Sequence, residues 1–414
     1  MKVFKFGGAS VKDAESIRNV GNIISAHATE QLMIVVSAMH KTTNALEEVM
    51  TLAHNGQSFD EQLKGIIDYH LQIISALFPE NSALASSLKK HEDTIRKHLN
   101  NSKNFDITYD QVVSLGEIIS SEILSAYLNE AGIANHLIDA REFIFTDLNY
   151  REGKVDWDIT RKRMQSLIPK LNHNTLVTQG FIGRNEEGRT TTLGREGSDY
   201  TAAIFGACLN AESVTIWKDV PGVMSADPKR IPTATTFDEL PFKEAAEMTY
   251  YGASVIHPKT IKPLANLGIP LLVKNFSNTT LPGTTIHEVK VEKLPPLIVF
   301  KENQCLISCH VTDYTFVDES QISIIFSALA SHRLKINLMQ NSAISFSFCL
   351  DFKTPKVMEL IKELSNSFEV YYNTGLTLIT IKNYDTESFD KYRKQNGVIL
   401  EQSSRSTLQV LIKS

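Results

Sequence analysis

"MKVFKFGGAS" (residues 1–10) opens the chain, and its reading decides how the rest is understood. The first six residues carry the apolar alternation of a strand, and the run stops at Gly7-Gly8. Glycines placed between a strand and a helix let backbone N–H groups approach a phosphate. Here the lysine, Lys5, precedes the glycines, whereas the P-loop pattern GxxxxGKS/T carries it after them. Neither that pattern nor GxGxxG occurs in the chain. A phosphate site at this turn therefore belongs to a different α/β architecture. Lys5 at the end of an apolar strand either snorkels to solvent or reaches an anion. Gly7, Gly8 and Ser10 favour the anion.

Outward from this turn the chain alternates strand and helix. Ile17, Val20 and Ile24 share one helical face, and "QLMIVVSAM" (31–39) has the continuous apolar texture of a strand buried on both faces. "NALEEVMTLAHNG" (44–56) sets Leu46, Val49, Met50 and Ala53 at helical spacing. Residues 59–101 read as two more helices broken at Pro79. "VVSLGEIISSEILSAYLNEAG" (112–132) reads as a helix ending at Gly132, which puts Glu117 near a helix start. "IANHLID" (133–139), "NTLVTQGFIG" (174–183), "SVTIWKDVPG" (213–222) and "IPLLVKNF" (269–276) are further strands. This order predicts an α/β domain with a mostly parallel central sheet between helical layers. Ligands of such sheets sit beyond the carboxyl ends of the strands, where Gly7-Gly8, Ser37, Gly180 and Asp219 fall.

The texture changes at Pro295-Pro296. Beyond them the pattern is βαββαβ, followed by a shortened second copy. The expected organisation is an α/β domain over 1–287, a linker and leading strand over 288–303, one small α/β unit over 304–375 and a shortened one over 376–414.

At 414 residues the chain exceeds one ordinary core. A formal net charge of −5 without a basic block argues against nucleic acid as a partner. No run approaches the roughly 20 apolar residues of a membrane span, and the N-terminus lacks the apolar stretch of a signal peptide. Cys208, Cys305, Cys309 and Cys349 suit a reducing compartment, so a cytoplasmic protein is expected. Cys305, Cys309 and His310 match no common zinc spacing and lie in a strand pattern, so no protein-ligated metal is expected.

"TTLGREGSDYTAA" (191–203) carries the most chemistry. A helix opening at Ser198 and Asp199 offers N–H donors and a positive dipole end to an anion. Arg195 can grip a carboxylate at two points, although an N-cap beside an exposed arginine reads the same way. Glu117 fits ordinary dipole compensation in a first turn. Asp219 and Asp227-Pro228 flank a loop that either frames a nucleotide or connects elements. His257, before Pro258, reads as a capping or packing histidine.

Taken together, "KFGGAS" (5–10), "VVSAM" (35–39), "TTNAL" (42–46), "SLGE" (114–117), "TQGFIG" (178–183), "TTLGREGSDYTAA" (191–203), "KDVPGV" (218–223), "EAAEMTYYGASVIHP" (244–258) and "PGT" (282–284) resemble one family. They resemble the aspartate kinases of the amino-acid kinase superfold, and the tail is similar to the ACT pair that follows in that family. The resemblance implies ATP- and Mg²⁺-dependent phosphorylation of the side-chain carboxylate of L-aspartate to 4-phospho-L-aspartate, the first step toward lysine, threonine and methionine. It places Lys5, Gly7, Gly8 and Ser10 at the phosphoryl-transfer centre, with Asp199 organising it. It puts Arg195 on the substrate carboxylate, Glu117 on its ammonium group, and Ser37, Thr43, Phe181 and Ser198 around the rest of the aspartate. Lys218, Asp219, Met224, Asp227 and Lys229 match the nucleotide side. A substrate carboxylate with a pKa near 4 is already ionised at pH 7, so no general base is required.

The ACT-like tail implies a homodimer or higher homo-oligomer and feedback by lysine or threonine. Its first strand–helix loop, "VTDYTFVDESQIS" (311–323), lacks the glycine usual where effectors bind. From the length, no fused homoserine dehydrogenase is expected. This sequence departs from the family's usual residues at Ala9, Glu196, Lys218, Met224, Lys229 and Ser254, mostly on the nucleotide side. Two other readings fit the same features: a related kinase acting on glutamate, and a non-catalytic amino-acid sensor.

Overall fold

A computed structural model describes residues 1–413 apart from 79–81, 102–103, 172–174, 254 and 313–315, so Pro79 and Ser254 lie outside the described residues. The chain forms two compact units. The first comprises Met1–Val223, Thr236–Thr249 and the stretch ending at Val291. The second comprises Met224–Thr235, Tyr250–Ala253 and the chain from Glu292 onward.

Among the described residues, ten strands build the first unit: β1 (Lys2–Phe6), β2 (Leu32–Val36), β3 (Asn135–Ile138), β4 (Thr175–Gln179), β5 (Ile182–Arg184), β6 (Thr190–Thr192), β7 (Ser213–Lys218), β8 (Glu239–Pro241), β9 (Leu271–Asn275) and β10 (Thr284–His287). Eight of them form one sheet in the order β3-β4-β2-β1-β7-β9-β10-β8, while β5 and β6 pair separately. Only the β9–β10 pair in that sheet is antiparallel. Every residue of β2 is buried, as its unbroken apolar run requires. Phe6, the last residue of β1, pairs with Val36 on one side and Trp217 on the other. The turn after β1 therefore emerges between Ser37 and Lys218. That is the switch point where chain connections leave in opposite directions.

The helices lying wholly or mainly in this unit are α1 (Ala14–Ser25), α2 (Thr42–His54), α3 (Asp60–Leu77), α4 (Ser82–Asn101), α5 (Phe105–Glu130), α6 (Trp157–Met164), α7 (Ile168–Leu171), α8 (Gly197–Cys208), α9 (Phe242–Tyr251) and α10 (Pro258–Ala265). Asp13 caps α1 by accepting the Ser16 N–H at 2.7 Å, and Ile17, Val20 and Ile24 are buried as their spacing demands. α5 begins at its Asn104 cap, well before Val112, so Glu117 sits in mid-helix. Dipole compensation in a first turn is therefore not its role. Gly116 beside it lets α5 pack closely, since a Cβ there would lie 3.1 Å from Thr42 Cγ2 and 3.2 Å from Ala38 Cβ. The described part of "NTLVTQGFIG" forms two strands, because Gly180 packs against Ser198 and Phe181 turns the chain at φ 69°. No helix among the described residues is long and apolar enough to cross a membrane.

The second unit holds β11 (Leu297–His310), α11 (Glu319–Ser331), β12 (Ile336–Asn341), β13 (Ser345–Asp351), α12 (Thr354–Leu364), β14 (Glu369–Lys382), α13 (Thr386–Arg393), β15 (Val398–Ser403) and β16 (Thr407–Lys413). Its antiparallel sheet runs β12-β13-β11-β14-β16-β15. β11 and β14 have 14 residues each and pair along most of their length. The boundaries at 303/304 and 375/376 fall inside these two strands. Cys305, Ile307 and Cys309 alternate into a core closed by Ile325 and Leu329 of α11 and Val357 and Leu360 of α12.

Candidate active site

β1 carries Lys5 to the switch point, with only 8% of its side chain exposed. Its Nζ lies 2.7 Å from Oδ1 of Asp199, which is wholly buried in the first turn of α8. The other carboxylate oxygen, Oδ2, lies 3.2 Å from Nζ of Lys218, the last residue of β7. Lys218 Nζ is also 3.7 Å from Glu196 Oε2. Burial raises the Asp199 pKa, but the ammonium groups of Lys5 and Lys218 outweigh it and hold the carboxyl below its ordinary value. Burial likewise disfavours the Lys218 ammonium, yet Asp199 and Glu196 raise its pKa. Asp199 and Lys218 are therefore both charged at neutral pH.

The glycine turn is fixed by backbone hydrogen bonds. The Ser37 N–H donates to Phe6 O and the His40 N–H to Gly8 O, each at 3.0 Å. Buried Ser10 donates to Gly7 O through its N–H at 3.0 Å and its hydroxyl at 2.6 Å. A Cβ on Gly8 would lie 2.7 Å from Ala38 O and 2.8 Å from His40 O, so only glycine fits.

Glu117 points from α5 into the same region, beside the Ala38 N–H, Lys5 and the Ser198 hydroxyl. Burial pushes its carboxyl up to about 8 against the pull of those three groups. Its Oε2 has no hydrogen-bond partner among the described residues. A buried carboxyl oxygen left in this state is an acceptor suited to a cationic ligand. The Phe181 N–H donates to Thr201 Oγ1 at 2.9 Å, and the ring lies against Gly197. Thr43 is half-buried in the first turn of α2. Arg195 is exposed and makes no hydrogen bond or ion pair with any described residue.

Lys5, Gly7, Gly8, Ser10, Glu117, Ser198, Asp199 and Lys218 thus gather where β1 and β7 end. Asp219 follows β7 and is exposed. Met224, Asp227 and Lys229 belong to the second unit, where the Lys229 N–H donates to Asp227 Oδ1 at 2.9 Å. His257 caps α10, its Nδ1 accepting the Lys259 N–H at 3.2 Å, as its place before Pro258 suggested.

Asp110 escaped sequence reasoning. Fully buried on α5, it accepts the Arg151 N–H at 3.0 Å, the Thr192 N–H at 3.0 Å and the Thr192 hydroxyl at 2.7 Å. Burial pushes its carboxyl up to about 6 against these bonds. It anchors β6, which leads through Gly194 to Arg195. Its spacing of seven residues from Glu117, two helical turns on one face, was the available signal.

Comparison with known proteins converges on one family. Residues 1–275 match the amino acid kinase family. The lysine-sensitive aspartokinase 3 of Escherichia coli K12 is 32% identical over 397 residues, covering 92% of this chain and 87% of that protein. The chain belongs to the aspartokinases. Two crystal structures of E. coli aspartokinase III superpose on it at 28% identity, each over 100% of this chain and 96% of theirs. The complex with aspartate and ADP (R-state) gives a TM-score of 0.86, and the complex with lysine and aspartate (T-state) gives 0.83. The parallel sheet is accordingly the amino-acid kinase fold, and the antiparallel sheet from β11 to β16 has the form of the ACT-like tail of aspartokinases.

Proposed function

We propose that the chain transfers a phosphoryl group from ATP to the side-chain carboxylate of L-aspartate, giving 4-phospho-L-aspartate. The observation that carries this reading is the buried Glu117 carboxyl, with a vacant oxygen, beside the buried Lys5–Asp199 pair. An α-amino acid brings the complement: its ammonium group meets Glu117, and its α-carboxylate meets the fork of the unpaired Arg195. Ser37, Thr43, Phe181 and Ser198 close around the rest. The side-chain carboxylate, ionised at neutral pH, is then left to face Lys5 as the nucleophile.

Phosphoryl transfer asks a protein mainly for positioning and charge stabilisation. Lys5 supplies a fixed cation, and the turn at Gly7, Gly8 and Ser10 brings main chain within reach of phosphate oxygens. Asp199, held ionised, keeps Lys5 in place. Lys218 and Asp219 stand on the nucleotide side of this centre. For Met224, Asp227 and Lys229 that assignment rests on the sequence resemblance. The two ammonium groups sharing one buried carboxylate fit a polyanionic nucleotide. Mg²⁺ would add charge neutralisation on the phosphates, held by phosphate and water oxygens.

We assign the catalytic domain to residues 1–287, with a linker over 288–303 and ACT-like units over 304–375 and 376–414. The tail is proposed to form a homodimer and to take lysine or threonine as a feedback effector, in line with the lysine bound to the E. coli enzyme. Four free thiols, three of them buried, are in keeping with a cytoplasmic setting. ADP release with Mg-ATP tests the function: release with L-aspartate supports it, release with L-glutamate alone reassigns the substrate, and aspartate binding without release makes the chain a sensor.

A further inference from the structure

Asp199 gives one oxygen to each of two lysines, Oδ1 to Lys5 at 2.7 Å and Oδ2 to Lys218 at 3.2 Å. Two ammonium groups around one buried carboxylate leave a unit of positive charge, which Asp219 helps to offset. Glu196 answers it incompletely. Its Oε2 stands 3.7 Å from Lys218 Nζ, outside hydrogen-bond reach, and its side chain is 32% exposed.

The position of Glu196 has no other evident service. It is the N-cap residue of α8, yet its side chain makes no capping hydrogen bond. Its backbone is left-handed, φ 53° and ψ 30°, a region disfavoured for side chains other than glycine and asparagine. What the carboxylate does here is face a lysine at the end of the strand beside β1. A partly exposed, loosely held carboxylate at a helix N-terminus is readily replaced there by a stronger anion.

We propose that Lys218 is a second cation for the nucleotide's phosphate chain, held by Asp199 opposite Lys5, and that Glu196 is its resting counter-ion, displaced when the phosphates bind. This rests on the kinase reading above and deepens it. Lys218 stays an ammonium throughout, and no proton moves. A lysine that served only to neutralise Asp199 would affect stability and leave nucleotide affinity alone.

The test compares Lys218→Met, Lys218→Arg and Glu196→Gln with the wild type. Binding of a non-hydrolysable ATP analogue with Mg²⁺ is measured by calorimetry beside steady-state kinetics. Lys218→Met is expected to weaken the analogue by at least about tenfold, the scale of one lost charged contact, with KM for aspartate within about threefold of wild type. Lys218→Arg recovers part of that loss. Glu196→Gln is expected to bind the analogue about two- to fivefold more tightly, because a competing carboxylate is gone. Unchanged analogue binding in folded Lys218→Met overturns the proposal. If that variant does not fold, Glu196→Gln decides: tighter binding supports the proposal, and unchanged or weaker binding overturns it. Absence of turnover in the wild type would defeat the kinase reading alone, since the binding measurements still judge Lys218.

Discussion

Lys5 Nζ and Asp199 Oδ1 form a 2.7 Å ion pair in which neither side chain is more than 8% exposed. Breaking a buried pair by removing one partner typically costs about 3–5 kcal/mol, because the other charge is left uncompensated. Here Lys218 still neutralises Asp199. Lys5→Met should therefore cost less than that range in urea unfolding. Its turnover should fall by about 10²–10³-fold, the scale of one lost charge-stabilising donor. A drop in stability as large as the full range would mean that Lys218 does not share the carboxylate.

Glu117 makes aspartate binding depend on pH. Its carboxyl, pushed up to about 8, is neutral through the mildly acidic range before substrate binds, and an ammonium ligand needs it ionised. Binding then releases a proton. KM for aspartate should fall by up to about tenfold per pH unit as pH rises toward 8, and flatten above it. Glu117→Gln should remove that slope and leave KM high at every pH. A wild-type KM that does not change between pH 6 and 8 would contradict the assignment.

Adjacent glycines should respond differently to alanine. A Cβ on Gly8 meets main-chain oxygens at 2.7 and 2.8 Å, which cannot move without unlocking the turn. Gly8→Ala is expected to cost about 1–3 kcal/mol, as overpacking does, and to abolish turnover. A Cβ on Gly7 would find only Lys5 Nζ at 3.5 Å, and the backbone there has φ −79°. Gly7→Ala should melt close to wild type. The two melting curves check the difference.

Asp110 should matter at a distance. Asp110→Ala orphans the Arg151 and Thr192 N–H groups together with the Thr192 hydroxyl. Each such loss is worth about 1–3 kcal/mol. The variant should be clearly destabilised in denaturant titration, and its KM for aspartate should rise because β6 no longer fixes the approach to Arg195. Normal stability would show that water replaces the carboxylate.

Much of the first unit was legible because its signals are local. A glycine turn after a short strand, a fully apolar strand and a helix opening at Ser198 each declare themselves within a few residues. Glu117 was misplaced because the helix reads from Val112, whereas α5 starts at Phe105 and Gly116 is a point of close packing against Ala38 and Thr42. Glu196 and Lys218 were noted as separate departures from the family's usual residues. That they meet follows from β7 lying beside β1, which no local pattern reveals. In the tail, the boundary expected between 375 and 376 is not seen as a break, and β14 runs through Gly375 because β11 and β16 together pair with most of its length.

The central claim is acyl-phosphate formation on aspartate. Its most direct measurement is hydroxylamine trapping with Mg-ATP, comparing L-aspartate with L-glutamate and the wild type with Lys5→Ala. Hydroxamate from aspartate alone, lost in the variant, is the result expected from a carboxylate nucleophile facing Lys5. No hydroxamate from aspartate in folded wild-type protein would contradict it.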